Sequence, residues 1–545
     1  MRSKFDLPIH PILFCLYPII YLYAQNLVYI EFTQTLRSFA ISLALGGVFW
    51  LLFGLLLRNW QRSSTLASLI VILFFSFGHA GNAFEKVFAP FGLGLATGWL
   101  AAAWLVVFLV LSYLILQVNK LDQITQILNT VGIALLIFPV ISILQSGLVN
   151  AQTTKADLNS LEIRRGQKSA EANLELPSHS QLPDIYYIVF DGYVRHDVLS
   201  EYYNFNNAEF LNDLERRGFY IVSDSRSNYM NTNYSLNTSL NLLYVHEFPR
   251  SVFLASKYNL RTNYLSDFLR QVGYQIVVFD SGSNDTTAQY ADIFISPDRL
   301  ETEMEGGINS FEFLLLRSTL GVLLLENQSR HGNTGQANDV FTASVNRELD
   351  RRRERIEYAF ANLPDFAADQ PPQFLFAHIY LPHIPFLYGP EGEPLRYHEE
   401  LNLYWYEVPP EDYPQVYSDQ VEALNAMALE MIDKVLRKAS RPVVIVLQSD
   451  HGDEFFLDYE QPDELGVHVR SAILNTIYFS DREYSQLYPT LTPVNTFRVV
   501  LNHWFGTTYP DLPDKVFFHE HPLSTARNEI PEFIDACSEF NICIP

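Results

Sequence analysis

Five long apolar runs in the first 150 residues constrain this chain more than any other feature: roughly Ile9 to Ile30, Ser38 to Leu57, Leu66 to Phe84, Leu93 to Val118 and Leu128 to Leu148. Each approaches or exceeds the ~20 residues an α-helix needs to cross a bilayer core. Only the first could be a cleaved signal peptide, and it has no small-residue cleavage site before the next run. Buried helices of a soluble domain fit poorly, because such runs joined by short loops would leave almost no polar surface. Residues 1–150 are therefore expected to form an integral membrane anchor of five helices.

Basic residues orient the anchor. Arg2 and Lys4 precede the first run, Arg58 and Arg62 follow the second and Lys120 follows the fourth, against Arg37 and Lys86 on the other side. The bias favours a cytoplasmic N-terminus. An odd number of crossings then places everything after Asn150 outside the cytoplasm. The apolar residues, 48 % of the chain, are concentrated before Asn150, and the net charge of -24 comes largely from the remainder. Such an acidic domain would repel phosphate backbones, so no nucleic-acid partner is expected. Three cysteines are too few for a disulfide framework; Cys537 and Cys543 could pair if the tail faces an oxidising compartment.

Residues 151–183 are polar with little periodicity and read as a linker with some helix in its middle. Asp184 opens an alternating pattern. DIYYIVFDGY reads as a strand, His196 to Arg217 as a helix, Phe219 to Ser223 as a strand, Arg261 to Val272 as a helix and Tyr274 to Asp280 as a strand. Long amphipathic helices are expected over Val340 to Asn362 and Gln415 to Lys438, followed by strands over Phe374 to Tyr380 and Pro442 to Gln448 respectively. A late strand, Ala472 to Phe479, and a late helix, Thr492 to Phe505, complete the series. This alternation predicts an α/β domain with a mostly parallel central sheet flanked by helices.

Chemistry concentrates where buried strands end. In PVVIVLQSDHGDE the apolar run Val443 to Leu447 reads as a strand buried on both faces. Asp450 and His451 follow it directly, at the carboxyl end where open α/β sheets bind ligands, and Gly452 lets the backbone turn. Asp453 and Glu454 read as solvated or supporting acids. The first strand ends similarly, on Asp191 and Gly192. Neighbouring parallel strands can deliver Asp191, Asp450 and His451 to one cation. Between them, SDSRSNYMNTNYSLNTSLNLLY (Ser223 to Tyr244) is dense in hydroxyls before a helical stretch. Some of these are N-caps, but a hydroxyl at a helix N-terminus also meets a dipole and free N–H groups that favour an attacking alkoxide and an anionic target. HIYLPHIPF offers His378 and His383; His378, within a strand, reads equally as a hydrogen-bonded core residue.

The order strand–Asp–Gly, threonine in a hydroxyl-rich loop before a helix, His with Pro and Phe, then Ser–Asp–His–Gly resembles the alkaline phosphatase and sulfatase superfamily. The anchor ahead of such a domain is similar to lipoteichoic acid synthases and phosphoethanolamine transferases. The resemblance implies an alkaline phosphatase-like, sulfatase-like catalytic domain over 184–510 and a tail over 511–545. It implies Asp191, Thr232, Asp450 and His451 as metal ligands, with Thr232 also the nucleophile and Thr238 the runner-up. His383 would contact substrate or protonate the leaving group, and His378, His468 and Arg470 are further substrate-binding candidates. One divalent ion is expected rather than two, with zinc, manganese, magnesium and calcium not distinguished.

One departure narrows the chemistry. Sulfatases of this superfamily need Cys or Ser in a Cys/Ser-x-Pro-x-Arg motif, and no such motif occurs here. Sulfuric-ester hydrolysis is therefore disfavoured. The expectation is a metal-dependent phosphoryl hydrolase or transferase acting on a phosphate ester, with lipid-linked or envelope-glycan phosphodiesters as the candidate substrates. A sulfatase-like hydrolase, or an inactive membrane-tethered binding module, is the alternative.

Overall fold

A computed structural model describes residues 7–26, 32–88, 97–118, 121–149, 155–167, 171, 182–256, 260, 263–283, 286, 291–297, 310–321, 338–366, 371–396, 408–519 and 530–544. The charges at Arg2, Lys4 and Lys120 and most of the linker lie outside the described residues. The chain divides into two compact units, Met1–Leu148 with Glu303–Ser344, and Val149–Thr302 with Val345–Pro545.

The first unit holds α1 (His10–Gln25), α2 (Phe32–Leu57), α3 (Trp60–Phe88), α4 (Thr97–Gln117) and α5 (Leu121–Val149). Four of them are long and apolar enough to cross a membrane, over Phe32–Leu57, Trp60–Gly81, Trp99–Gln117 and Leu121–Leu144. The expected first span is shorter than its sequence suggests: α1 has 16 residues, or about 24 Å at the helical rise, against a hydrocarbon core of ~30 Å.

The second unit begins with α6 (Lys155–Arg165) and β1 (Asp184–Asp191), followed by α7 (His196–Tyr202), α8 (Ala208–Arg217) and β2 (Tyr220–Ile221). The single helix expected from His196 to Arg217 is thus two, separated where Asn204 takes a left-handed φ of 52°. Next come α9 (Thr232–Asn241), α10 (Arg250–Ser256), α11 (Tyr264–Gln271), β3 (Gln275–Phe279) and β4 (Ile293–Ile295). At this point the chain contributes α12 (Ser310–Ser318) to the first unit, inside what the sequence read as continuous catalytic domain. Phe311 is fully buried there against Ile19, and Arg37 Nε donates to Glu312 Oε1 at 2.5 Å.

The second unit then continues with α13 (Asn338–Asn362), whose start still belongs to the first unit, β5 (Gln373–Pro382), α14 (Tyr413–Lys438), β6 (Val443–Ser449), α15 (Glu464–Ser471), β7 (Asn475–Phe479) and α16 (Pro493–Phe505). The tail adds β8 (Phe517–His519), β9 (Phe533–Asp535) and α17 (Ala536–Phe540), and Cys537 is bonded to Cys543.

One seven-stranded sheet carries the second unit, in the order β2-β7-β6-β1-β5-β3-β4. Its strands pair in parallel except at β7, which runs against β6 and β2. The central strands β1 and β6 are buried along their whole lengths, as their unbroken apolar sequences require. Apolar side chains fill both faces, with Ile188, Phe190 and Leu447 on one and Ile185, Val189 and Val446 on the other. A strand sandwiched this way has no exposed side, so its only chemically available point is its end.

Candidate metal and phosphoryl site

β1 lies between β6 and β5, with Phe190 opposite Ser449 and Val189 opposite His378. This register brings Asp191, Asp450 and His378 to the same edge of the sheet from three adjacent strands. Gly192 follows Asp191 with φ 77°, a conformation that suits a residue without Cβ. Gly452 is required for another reason: a Cβ there would lie 2.1 Å from the Val469 carbonyl oxygen.

Asp191, Asp450 and His451 can each place a ligand atom within 4.8 Å of the others, and all three are buried. Asp450 Oδ1 accepts from the backbone N–H groups of Gly192 (3.1 Å) and His451 (2.9 Å). Its Oδ2 and Asp191 Oδ1 are buried without a hydrogen-bond partner. His451 Nδ1 donates to Gly452 O at 2.9 Å, leaving a lone pair on Nε2, which lies 3.2 Å from Asp450 Oδ2 and 3.8 Å from Asp191 Oδ1. Burial and then the charge of Asp191 push the Asp450 carboxyl well up; burial and then Arg470 push His451 well down. Two orphaned carboxylate oxygens facing an imidazole lone pair make a donor set that fits a divalent cation, which would reverse this repulsion.

Thr232 opens α9. Asn231 caps the helix, its Oδ1 accepting from Asn233 N at 3.1 Å. The half-buried Thr232 Oγ1 lies 3.1 Å from His451 Nε2. Thr238, six residues on and fully buried, has an unpartnered hydroxyl, so it makes no hydrogen bond to the Asp–His group. The structure therefore brings together Asp191, Thr232, Asp450 and His451.

Of the other candidates, His378, His383 and Arg470 lie against this group and His468 does not. His378 Nε2, unpartnered and fully buried, lies 3.6 Å from Asp191 Oδ2 and 3.8 Å from Asp450 Oδ2; burial pushes its imidazole down to about 4, so it is neutral. His383 contacts the Asp191–Gly192 turn, its backbone N–H donating to Asp191 O at 3.2 Å. Burial lowers its basicity, but the Asp191 and Glu454 carboxylates outweigh that and hold it above its ordinary value. Arg470 is buried with Nε on Met230 O (3.0 Å), Nη1 on Gly452 O (2.9 Å) and Nη2 3.3 Å from His451 Nε2.

His468 sits elsewhere. Two residues along a helix is about 200° of rotation, so His468 turns away from Arg470's side of α15 and its Nδ1 meets Arg226 at 3.2 Å. Of the two readings of Asp453, solvated or supporting, the first does not hold: it is 6 % exposed and accepts from Tyr203 and Tyr413 hydroxyls at 2.7 and 2.9 Å.

Several supporting groups escaped the sequence reading. Tyr417 OH donates to Gly192 O at 2.7 Å and accepts from Val194 N, clamping the turn after Asp191. Ser227 Oγ donates to Asp450 O at 2.5 Å. Only the hydroxyl density around Ser227 hinted at such a role; nothing marks Tyr417 within its amphipathic helix.

No protein-family model and no curated protein matches the chain. Solved structures do. The periplasmic domain of EcEptC from Escherichia coli, in complex with zinc, is similar over 68 % of this chain and 96 % of its own, at 12 % identity and TM-score 0.38. The periplasmic domain of the phosphoethanolamine transferase EptC from Campylobacter jejuni matches over 60 % and 91 %, at 14 % identity and TM-score 0.37. The phosphonate monoester hydrolase of Agrobacterium radiobacter matches over 62 % and 80 %, at 13 % identity and TM-score 0.39. These structural neighbours are enzymes of the alkaline phosphatase and sulfatase superfamily. At such identities and TM-scores the likeness assigns no chemistry to this chain by itself.

Proposed function

We propose that the protein is a membrane-anchored, metal-dependent phosphoryl hydrolase or transferase that uses the Thr232 hydroxyl as nucleophile, outside the cytoplasm, on a phosphodiester that is lipid-linked or part of an envelope glycan. One observation carries the reading: an accessible hydroxyl at a helix N-terminus lies 3.1 Å from the His451 lone pair, beside two carboxylate oxygens without partners. A divalent ion held by Asp191, Thr232, Asp450 and His451 would supply Lewis-acid charge neutralisation and ease deprotonation of the threonine.

The chain's own residues do the rest. The first N–H groups of α9 and its dipole face the anionic phosphoryl group. Thr232 Oγ bonds to phosphorus as the bond to the leaving oxygen breaks, and the Thr232 proton passes to solvent. His383, held toward its protonated form by Asp191 and Glu454, gives a proton to the leaving oxygen. In the second half, water or an acceptor hydroxyl loses its proton to His383 and bonds to phosphorus as the bond to Thr232 Oγ breaks, and the threonine oxygen takes a proton back from solvent. Arg470, fixed by two backbone carbonyls, directs charge at the non-bridging oxygens.

The proposed location takes α1, although it is shorter than the four longer apolar helices, as the first of five crossings, and is supported by the excess of basic residues on the N-terminal side of the sequence. The bond between Cys537 and Cys543 suits an oxidising compartment. The test is an assay of the full-length protein, in detergent, against a phosphodiester, a phosphomonoester and a sulfate ester. Thr232→Ala is expected to lower phosphodiester turnover by at least about a thousandfold with an unchanged melting curve, and the parent protein to yield a phosphothreonine at position 232 on quenching. Turnover retained in that variant would sink the nucleophile. A chain that binds no divalent ion and turns over none of the three esters would be the binding module instead.

A further inference from the structure

The helix that presents Thr232 has a second end. Its last carbonyls have no partners within the helix, and two buried arginines supply them. Arg498, from α16 in the body of the unit, donates to Leu242 O through Nε (3.1 Å) and Nη2 (2.5 Å). Arg165 donates through Nε to Asn241 O at 2.8 Å. Arg165 comes from α6, the helix that follows the last membrane helix with only residues 150–154 between them.

α6 is therefore not a free tether. Arg165 is 4 % exposed, with its guanidinium 3.8 Å over the Tyr264 ring. Leu161 packs with Tyr234 of α9 and with Leu243 and Tyr244 just beyond it. Glu171 accepts from Tyr509 OH at 2.6 Å and also from Tyr264 OH, closing the segment onto the same surface. Burial pushes Arg165 down to about 10, which leaves it charged at neutral pH. A cation at a helix carboxyl end stabilises that helix and complements the anionic group at its other end.

We infer that Arg165 is a positioning residue of the reaction: it holds the carboxyl end of α9, so that the segment joining membrane anchor to sheet sets where Thr232 stands. This rests on the assignment of Thr232 above. A helix of ten residues is a rod of about 15 Å, and displacement at one end reaches the other. Misplacing a reacting group by ~1 Å costs on the order of 10²-fold in rate, so loosening one of two anchors should cost less than that.

The test uses the full-length protein in detergent, with bis(4-nitrophenyl) phosphate as substrate and amide hydrogen exchange across α9. Arg165→Ala is expected to lower kcat about tenfold, leave KM within about twofold and bound metal unchanged, and raise exchange at 238–243. Arg165→Lys, which keeps the charge and one donor, should recover kcat to about two- to fivefold below the parent; Arg164→Ala, at the exposed neighbour, should match the parent. Parental kcat in both Arg165 variants overturns the inference, as does a kcat loss accompanied by lost metal and a lost melting transition. If Arg165→Ala does not accumulate, Arg165→Lys decides by the same kcat criterion. The exchange measurement separates the two claims. Full turnover in Thr232→Ala removes the nucleophile while leaving the exchange result standing, whereas unchanged exchange in Arg165→Ala removes this inference alone.

Discussion

The two units obey one law in two solvents. In the membrane unit large apolar side chains face outward, with Leu55 78 %, Phe138 67 % and Leu105 58 % exposed, while Ser63, Ser64, Ser68, Thr125 and His10 are buried. His10 Nδ1 meets Ser68 Oγ at 2.7 Å, and Asn129 Oδ1 accepts from the N–H groups of Ile9 and His10. Small polar contacts thus join helices where lipid gives apolar groups no reason to leave the surface. In the second unit the apolar groups fill both faces of the sheet, and the buried Asp191, Asp450 and His451 stand just past the strand ends. Apolar content alone therefore says nothing about a core; the length of each run says which solvent it meets.

The contrast is most vulnerable at the strand ends. Asp450→Asn is expected to abolish metal binding and lower activity on the order of 10³-fold, measured by metal content and phosphodiester turnover. Because burial and Asp191 already push the Asp450 carboxyl up without a cation, the metal-free variant should melt above the metal-free parent, and a divalent ion should raise the midpoint of the parent only. Equal shifts in both would mean the ion binds elsewhere.

Lysine substitutions probe the two surfaces directly. Leu109→Lys, at an exposed position of α4, should cost about 2.5 to 3.5 kcal/mol of membrane insertion and reduce the membrane-integrated fraction on alkaline extraction. Ser200→Lys, on the exposed face of α7, should stay within about 0.5 kcal/mol of the parent. Equal tolerance of both would deny that the first surface meets lipid.

The smallest change expected beyond the Ser200 control belongs to Asp184, at the opposite end of β1 from the site. Burial raises its carboxyl from 3.8 to about 6, although Gln373 N donates to it at 3.0 Å and Arg441 lies 3.5 Å away. Between those two values the folded chain holds a proton that the unfolded chain has lost, so stability falls as pH rises across that window and is level above it. Asp184→Asn should remove the fall, gaining about 2 °C in melting midpoint at pH 7 relative to pH 4. A parallel shift at both pH values would refute it.

Much of the site was readable because its residues sit beside strands whose burial is written in unbroken apolar runs. Asp191, Asp450 and His451 follow such runs directly, and Thr232 stands at a helix start marked by its hydroxyl-rich loop. His468 failed the same reading because closeness in sequence to Arg470 is not closeness on a helix, where two residues point apart. The sequence does not decide between a solvated and a supporting Asp453, because an acid beside a glycine turn is usually solvated, and its tyrosine partners come from α14 and from the residue after α7. The segment Ser310–Ser318 gave no warning either: nine residues are too short to announce a membrane unit.

Sequence alone was enough for the apolar helices, the parallel α/β alternation and the four residues proposed to hold a metal, since each depends on local periodicity or on the residues just past the end of a strand. Tertiary packing was needed to show that α1 is shorter than its apolar run, that α12 joins the membrane unit, that Tyr417 clamps the Asp191 turn, and that Arg165 from the linker caps the helix of Thr232. The last three are contacts between segments tens to hundreds of residues apart. No residue can specify such a contact alone, because its free energy exists only once both partners are buried together.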